Sequence, residues 1–221
     1  HEPLAANIMI GNFGDEYLLM GEVGAKKGIS QIGGATNPQT LPFVFASADQ
    51  PIIEPEGRLH AFCHAVPGKW HFMGVTLSTA GSLQWYHDTL TPDDSFDAIV
   101  KEAEAAPAGS EGLLFLPYLS AERTPYPDPH ARGSFVGLTL RHRRAHMTRS
   151  VLEGVAFSMK DCFALLQGAG LGEVSEVRIA GGGAKGPLWR KIVASALGLP
   201  MVTVTSTEGE GSTFTVELAP D

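Results

Sequence analysis

The run Val177-Arg-Ile-Ala-Gly-Gly-Gly-Ala-Lys-Gly-Pro-Leu-Trp-Arg-Lys-Ile192 constrains this chain more than any other stretch. A short β-branched segment enters three consecutive glycines, and a segment with helical periodicity leaves them. Gly186 suits the N-cap, and Pro187 suits the first helical position, where a missing N–H is harmless. Leu188, Trp189, Ile192, Val193, Ala196 and Leu197 share one helical stripe that can dock and hold the turn rigid. Bare backbone N–H groups at the positive end of a helix suit phosphates. The residues alone leave two readings open: a nucleotide-binding turn, or a glycine-rich βα connection that binds nothing.

A chain of 221 residues can bury one large core or two small ones. Its net charge of −8 argues against nucleic acid as the main partner, because that interaction needs a basic footprint. A nucleotide needs only a local donor-rich pocket, so it is not excluded. The two cysteines, Cys63 and Cys162, are too few for a disulfide framework and fit a reducing compartment. No apolar run reaches the roughly 20 residues of a membrane span, and no signal peptide is legible. The expectation is a cytoplasmic protein without a membrane partner. The start at His1 points to a fragment.

Strand and helix signals alternate along the chain, which predicts an α/β layered domain. His60–His64 and His71–Val75 read as two strands around Pro67-Gly68. Leu77–Leu90 reads as a helix with Leu77, Ala80, Leu83 and Tyr86 or His87 on one face. Thr91-Pro92-Asp93-Asp94 reads as a second helix start, with Phe96, Ile99, Val100 and Ala103 as its buried stripe. Gly112–Leu116 is an apolar strand, and Pro117–Arg132 is a polar loop long enough to carry function. The clearest helix runs from Met147 to about Gln167 along Val151, Leu152, Val155, Met159, Cys162, Phe163 and Leu166. Met201–Thr205 and Thr213–Leu218 are further strands.

Gly133-Ser-Phe-Val-Gly-Leu-Thr-Leu-Arg-His-Arg-Arg-Ala-His-Met-Thr-Arg-Ser-Val-Leu-Glu153 resembles a signature of the FGGY carbohydrate kinases. Phe115-Leu-Pro-Tyr-Leu-Ser-Ala-Glu-Arg-Thr-Pro125 resembles the FLPYLSGERTP loop of that family, with Ala121 in place of glycine. Asp49-Gln-Pro-Ile-Ile-Glu-Pro55 and Phe62–His71 resemble its xylulokinase branch. The resemblance covers about residues 46–209 and implies the C-terminal, ATP-side domain of an actin-like, ribonuclease-H-like ATPase fold: a partial α/β structure, a mixed sheet with flanking helices. It implies an ATP-dependent pentulose kinase acting on a xylulose-like sugar, with ATP/ADP and Mg²⁺ as its nucleotide and metal. By position it carries over nucleotide contacts to Gly181, Gly182, Gly183 and Ala184, a further adenosine contact near Pro187, and a second wall at Gly81 and Gln84. Ala80 stands where relatives carry another glycine.

Two flanks depart from the family pattern. The family's catalytic aspartate motif and phosphate loop are not legible in residues 1–45; Gly14-Asp15 and Ile32–Thr36 stand in their order, leaving Asp15 as the candidate base. Residues 210–221 resemble the last strand of sensor histidine kinase ATP-binding domains. The chain therefore divides into an atypical segment 1–45, a kinase domain 46–209 and an atypical tail 210–221. Sugar phosphorylation needs a carboxylate base, Mg²⁺ and backbone donors. This chain supplies the donors; the sugar-binding domain and the base are not evident, so the chain by itself is expected to be inactive.

Two other classes compete. Gly181-x-Gly183-x-x-Gly186, with Glu208 about 20 residues on, fits the spacing of a dinucleotide-binding oxidoreductase module. A non-catalytic remnant of the kinase fold is the other. No metal site is expected: His60 and His64, and His142 and His146, lack CxxC or HExxH company. Arg141–Arg144 reads as a solvated turn, Glu122 with Arg123 as an ion pair bracing the long loop, and Glu153 as a helix-surface carboxylate. Trp70, Trp85 and Trp189 are assigned to the core.

Overall fold

The structure, a computed structural model, describes residues 6–11, 17, 19, 22–23, 26–27, 30–35, 50–51, 58–63, 70–169, 173–207 and 211–217. The chain forms two compact units, His1–Val75 with Ala164–Gly172 and Thr76–Phe163 with Glu173–Asp221. In the first, β1 (Ala6–Gly11) runs parallel to β2 (Ser30–Ala35), with Ile8 opposite Ile32, and β2 runs parallel to β3 (Gln50–Pro51). The expected hairpin is present as β4 (His60–Cys63) antiparallel to β5 (Trp70–Met73), Ala61 opposite Phe72. Asp15, His64 and Glu208 lie outside the described residues.

The second unit opens with α1 (Thr79–Leu90), N-capped at Ser78. Its inward face agrees with the predicted stripe at Leu83 and Tyr86 and differs at its start: Ser82 is buried, while Leu77 and Ala80 are exposed. The reason is hydrogen bonding, because the Ser82 hydroxyl donates to the Ser78 carbonyl at 2.6 Å and is buried without losing a partner. The second helix, α2 (Phe96–Ala103), starts four residues later than the Thr91 signal placed it. Thr91 instead closes α1, its N–H donating to the His87 carbonyl at 3.0 Å, and Ser95 caps α2 by accepting from the Ala98 N–H at 3.2 Å. Ile99 and Ala103 are fully buried, and Phe96 stays at the surface stacked on His87.

Strand β6 (Leu114–Leu116) pairs antiparallel with β7 (Ser134–Val136) around the long loop. Helix α3 (Arg144–Gly168) begins three residues before the predicted start. After β8 (Val177–Arg178) come the glycine turn, α4 (Pro187–Leu197) and β9 (Met201–Thr207), which is parallel to β8; β10 (Gly211–Glu217) returns antiparallel. The sheet order β8-β9-β10 is thus mixed, as expected.

Two clusters hold this unit together. Leu152, Ala156, Leu188, Ile192, Val193 and Met201 join α3, α4 and β9 in one core, against which Leu83 and Trp189 also pack. Tyr86, Ile99, Phe115 and Val151 form the other, flanked by Trp85 and Phe135. Trp85 and Trp189 therefore border the core as assigned. Burying each aliphatic side chain of this kind contributes about 1.5–3 kcal/mol before its ordering entropy is counted.

Candidate nucleotide site

Gly181 adopts φ +90°, a backbone conformation that a side chain would strain, and directs the chain out of β8. Residues Gly182–Lys185 then form a single 3₁₀ turn. The Ala184 N–H donates to the Gly181 carbonyl at 3.2 Å, and the Gly186 N–H to the Gly183 carbonyl at 3.1 Å. Gly186 is the N-cap of α4 and Pro187 opens it, as the sequence predicts. The first-turn N–H groups of such a helix have no intrahelical acceptor.

The turn is supported from inside and bare outside. A Cβ on Gly183 would stand 3.1 Å from Trp189 Nε1, so the indole is packed directly beneath that glycine. A Cβ on Gly181 or Gly182 would meet nothing within 4 Å, and both residues are exposed. Arg190 ties down the far end, its guanidinium donating to the carbonyls of Ala184 at 2.9 Å and Lys185 at 3.2 Å. Arg190 was not singled out by sequence. Its only signal was a position one helical turn after Gly186, where a long cation can reach back to loop carbonyls.

Gly81 and Gln84 are exposed on α1, and Leu83 between them packs on the core that contains Leu188 and Ile192. The two predicted patches thus border one common core. The Gln84 amide nitrogen already donates to both oxygens of Asp88, at 2.8 Å each. Contacts from His87, then from Gln84, hold the Asp88 carboxyl below the usual carboxylate range.

Three charged residues depart from their expected roles. Glu122 makes no ion pair with the Arg123 guanidinium; its Oε1 accepts the backbone N–H of Leu77 at 3.0 Å and of Arg123 at 2.7 Å. It still braces the loop, but through backbone donors to the start of α1. Glu153 is buried, not on the surface: it accepts from Arg149 Nε at 2.8 Å, the Gly109 N–H at 3.0 Å and the Ser110 hydroxyl at 3.2 Å. The i,i+4 spacing of Arg149 and Glu153 was the available signal. Arg144 leaves the solvated turn to bridge Asp94 and Glu102 at 2.6 Å each. Among the described residues no cluster of histidine, cysteine, aspartate or glutamate could hold a metal.

A strand, a triple-glycine turn and a helix seated on a mixed-sheet core make up an α/β domain. Comparison with known proteins makes the class specific. Residues 40–211 match the FGGY family of carbohydrate kinases, C-terminal domain. The chain is 37% identical to the xylulose kinase of Lactococcus lactis over 168 residues, covering 76% of this chain and 34% of that protein. With the xylulose kinase of Escherichia coli the identity is 39% over 154 residues, 70% of this chain and 31% of that one. The crystal structure of a xyloylose kinase from Brucella ovis superposes with a TM-score of 0.65 at 40% identity, covering 71% of this chain and 32% of the other.

This chain belongs to the FGGY family of carbohydrate kinases, and its fold is that family's actin-like ATPase fold. The matched region spans about a third of the length of these relatives. Nothing in these likenesses supports the dinucleotide-binding oxidoreductase reading, and β9 is followed by an antiparallel strand instead of another parallel one. Among the described residues no helix is long and apolar enough to cross a membrane.

Proposed function

We propose that this chain supplies the nucleotide-binding half of a phosphoryl-transfer site that phosphorylates a pentulose of the xylulose type with ATP. The observation that carries this reading is the bare outer face of Gly181 and Gly182 above an indole-packed turn at the start of α4. Gly181, Gly182, Gly183 and Ala184 offer backbone at which ADP or ATP can lie without a side chain intervening. Pro187 holds the helix start with no N–H to satisfy, and Gly81 and Gln84, exposed on α1, are assigned the second wall. Binding through backbone donors fixes the nucleotide in one orientation, which is most of what a phosphoryl-transfer site must do.

Mg²⁺ accompanies ATP in such reactions and neutralises charge on the transferring phosphoryl group. The turn from Gly181 to Gly186 carries no carboxylate, and no metal-binding cluster occurs among the described residues, so no step is assigned to the ion here. The base that accepts the sugar hydroxyl proton is likewise not among the residues around the turn; Asp15 stands as its candidate from sequence only.

Calorimetric titration of the 221-residue chain with ATP, ADP and NADH, alongside an ADP-release assay with D-xylulose, tests the reading. ATP and ADP are expected to bind and NADH not to, with no sugar-dependent turnover by the chain alone. A cooperative melt unaffected by ATP or ADP would identify a remnant fold that has lost the nucleotide. Robust turnover with D-xylulose would place a working base within the chain.

A further inference from the structure

Three successive carbonyls of the glycine turn end on one residue. Ala184 and Lys185 accept from the Arg190 guanidinium at 2.9 and 3.2 Å, and Gly186 accepts from the Arg190 backbone N–H at 3.2 Å. Upstream, the carbonyls of Gly181 and Gly183 accept from the N–H groups of Ala184 and Gly186, at 3.2 and 3.1 Å. These oxygens are therefore spent on the chain itself.

Pro187 explains why a side chain is needed. In a 3₁₀ ladder each carbonyl takes its donor from the residue three positions on. For Ala184 that position is Pro187, which has no N–H. The proline that starts α4 thus leaves a carbonyl open just behind it, and Arg190 closes it from within the first turn of the helix. Arg190 is half-buried, whereas Gly181, Gly182 and Gly183 face solvent. A guanidinium makes stronger bonds to such oxygens than a neutral donor does.

A carbonyl oxygen carries partial negative charge, so one turned toward a phosphate repels it. We propose that Arg190 is a positioning residue for nucleotide phosphates. It holds the Ala184 and Lys185 oxygens back toward α4, which leaves the turn's N–H edge to meet the anion. It acts through the backbone, without touching the nucleotide. The inference rests on the reading of Gly181–Ala184 as a nucleotide site.

Two variants of the whole chain test it. Arg190→Met removes the donors, and Arg190→Lys keeps the charge on a shorter stem without the guanidinium fork. Calorimetric titration with adenosine and ADP is paired with amide hydrogen exchange at Ala184 and Gly186 in the nucleotide-free chain. R190M is expected to weaken ADP binding about tenfold, as loss of charge-assisted hydrogen bonds predicts, and to change adenosine binding less than about twofold. Ala184 and Gly186 should exchange faster in the same variant, while amides in the middle of α3 keep their parent rates. R190K should lie nearer R190M than the parent chain, and it carries the comparison by itself if R190M does not fold.

A general loss of stability would weaken adenosine and ADP alike, and equal losses would overturn the proposal. So would unchanged exchange at Ala184 and Gly186, or full ADP affinity in R190K, which would assign the effect to charge alone. A parent chain that binds no ADP would sink the nucleotide reading and the phosphate role together. Exchange at the two amides would then still show whether Arg190 clamps the turn, so the two failures are told apart.

Discussion

Gly154 of α3 lies so close to Phe115 of β6 that a Cβ on the glycine would stand 2.2 Å from the Phe115 carbonyl oxygen. Two backbones are in direct contact there, and neither can step aside as a flexible side chain would. Gly154→Ala is therefore expected to destabilise the chain by about 3 kcal/mol, the upper end of overpacking costs, with α3 and β6 forced apart. Urea unfolding followed by circular dichroism measures the loss; a change under about 0.5 kcal/mol would show that the contact is not so tight.

Arg149 and Glu153 form a nearly buried pair whose remaining bonds reach the Ala106 carbonyl, the Gly109 N–H and the Ser110 hydroxyl. Removing one member strands the other's charge, so Arg149→Ala and Glu153→Ala should each cost about 3 kcal/mol or more. The double variant should cost clearly less than the sum, because no lone charge is left behind. Additive losses in the denaturation cycle would contradict this account.

His87 contacts the Asp88 carboxylate and the Asp94 carbonyl, each at 2.8 Å, and these hydrogen bonds hold its pKa above the ordinary 6.5. A raised folded-state pKa contributes stability that is full below 6.5 and fades as pH climbs through the higher folded value. The melting-point gap between the parent chain and His87→Gln should accordingly narrow from pH 5.5 to pH 8.5. A gap that widens over that window would reverse the sign and refute the pairing.

Burial, followed by the nearby Glu122 and Asp161 carboxylates, pushes the Cys162 thiol up to about 12. It is buried and donates to the Thr124 carbonyl, so it holds almost no thiolate at neutral pH. In a Cys63→Ser background, Cys162 should resist a disulfide reagent at pH 8 until urea unfolds the chain. Stoichiometric labelling within minutes in the native state would disprove its sequestration.

Trp189 lies under Gly183, and the geometry ties the fluorescence of that indole to the shape of the turn. Gly183→Ala should shift Trp189 emission and weaken ADP binding about tenfold, while costing under about 2 kcal/mol of stability, since an indole edge can yield. Unchanged ADP affinity alongside a shifted emission would detach the turn from nucleotide binding.

The features legible in the sequence are those written in local chemistry. Gly186 and Pro187 announce the start of α4 with no reference to the rest of the fold, and the period of Val151, Leu152 and Val155 announces α3. What escaped depends on partners far along the chain. Ser82 reads as an outward residue until its hydroxyl finds the Ser78 carbonyl, and Glu153 reads as solvent-facing until Gly109 and Ser110 arrive from 44 and 43 residues away. Thr91-Pro92 is a correct cap signal in composition that was claimed by the end of α1, because Ser95 competes for the same task four residues on. The candidate site was legible as glycine spacing; its clamp by Arg190 was not, since an arginine on a helix carries no mark of which carbonyls it will reach.

The bond from Leu77 to Glu122 closes a loop of 45 residues, and the one from Gly109 to Glu153 closes a loop of 44. The two closures overlap between 109 and 122, so neither ring can open without disturbing the segment it shares with the other. Amide protons from α1 through the middle of α3 should therefore exchange with solvent in one concerted event instead of helix by helix. A chain cut beside Leu140, where exposure is 96%, falls within the 109–153 ring and outside the 77–122 ring, so it would open the second and leave the first whole. The stretch is thus a pair of linked rings held by two carboxylates, and its persistence is a property of the pair.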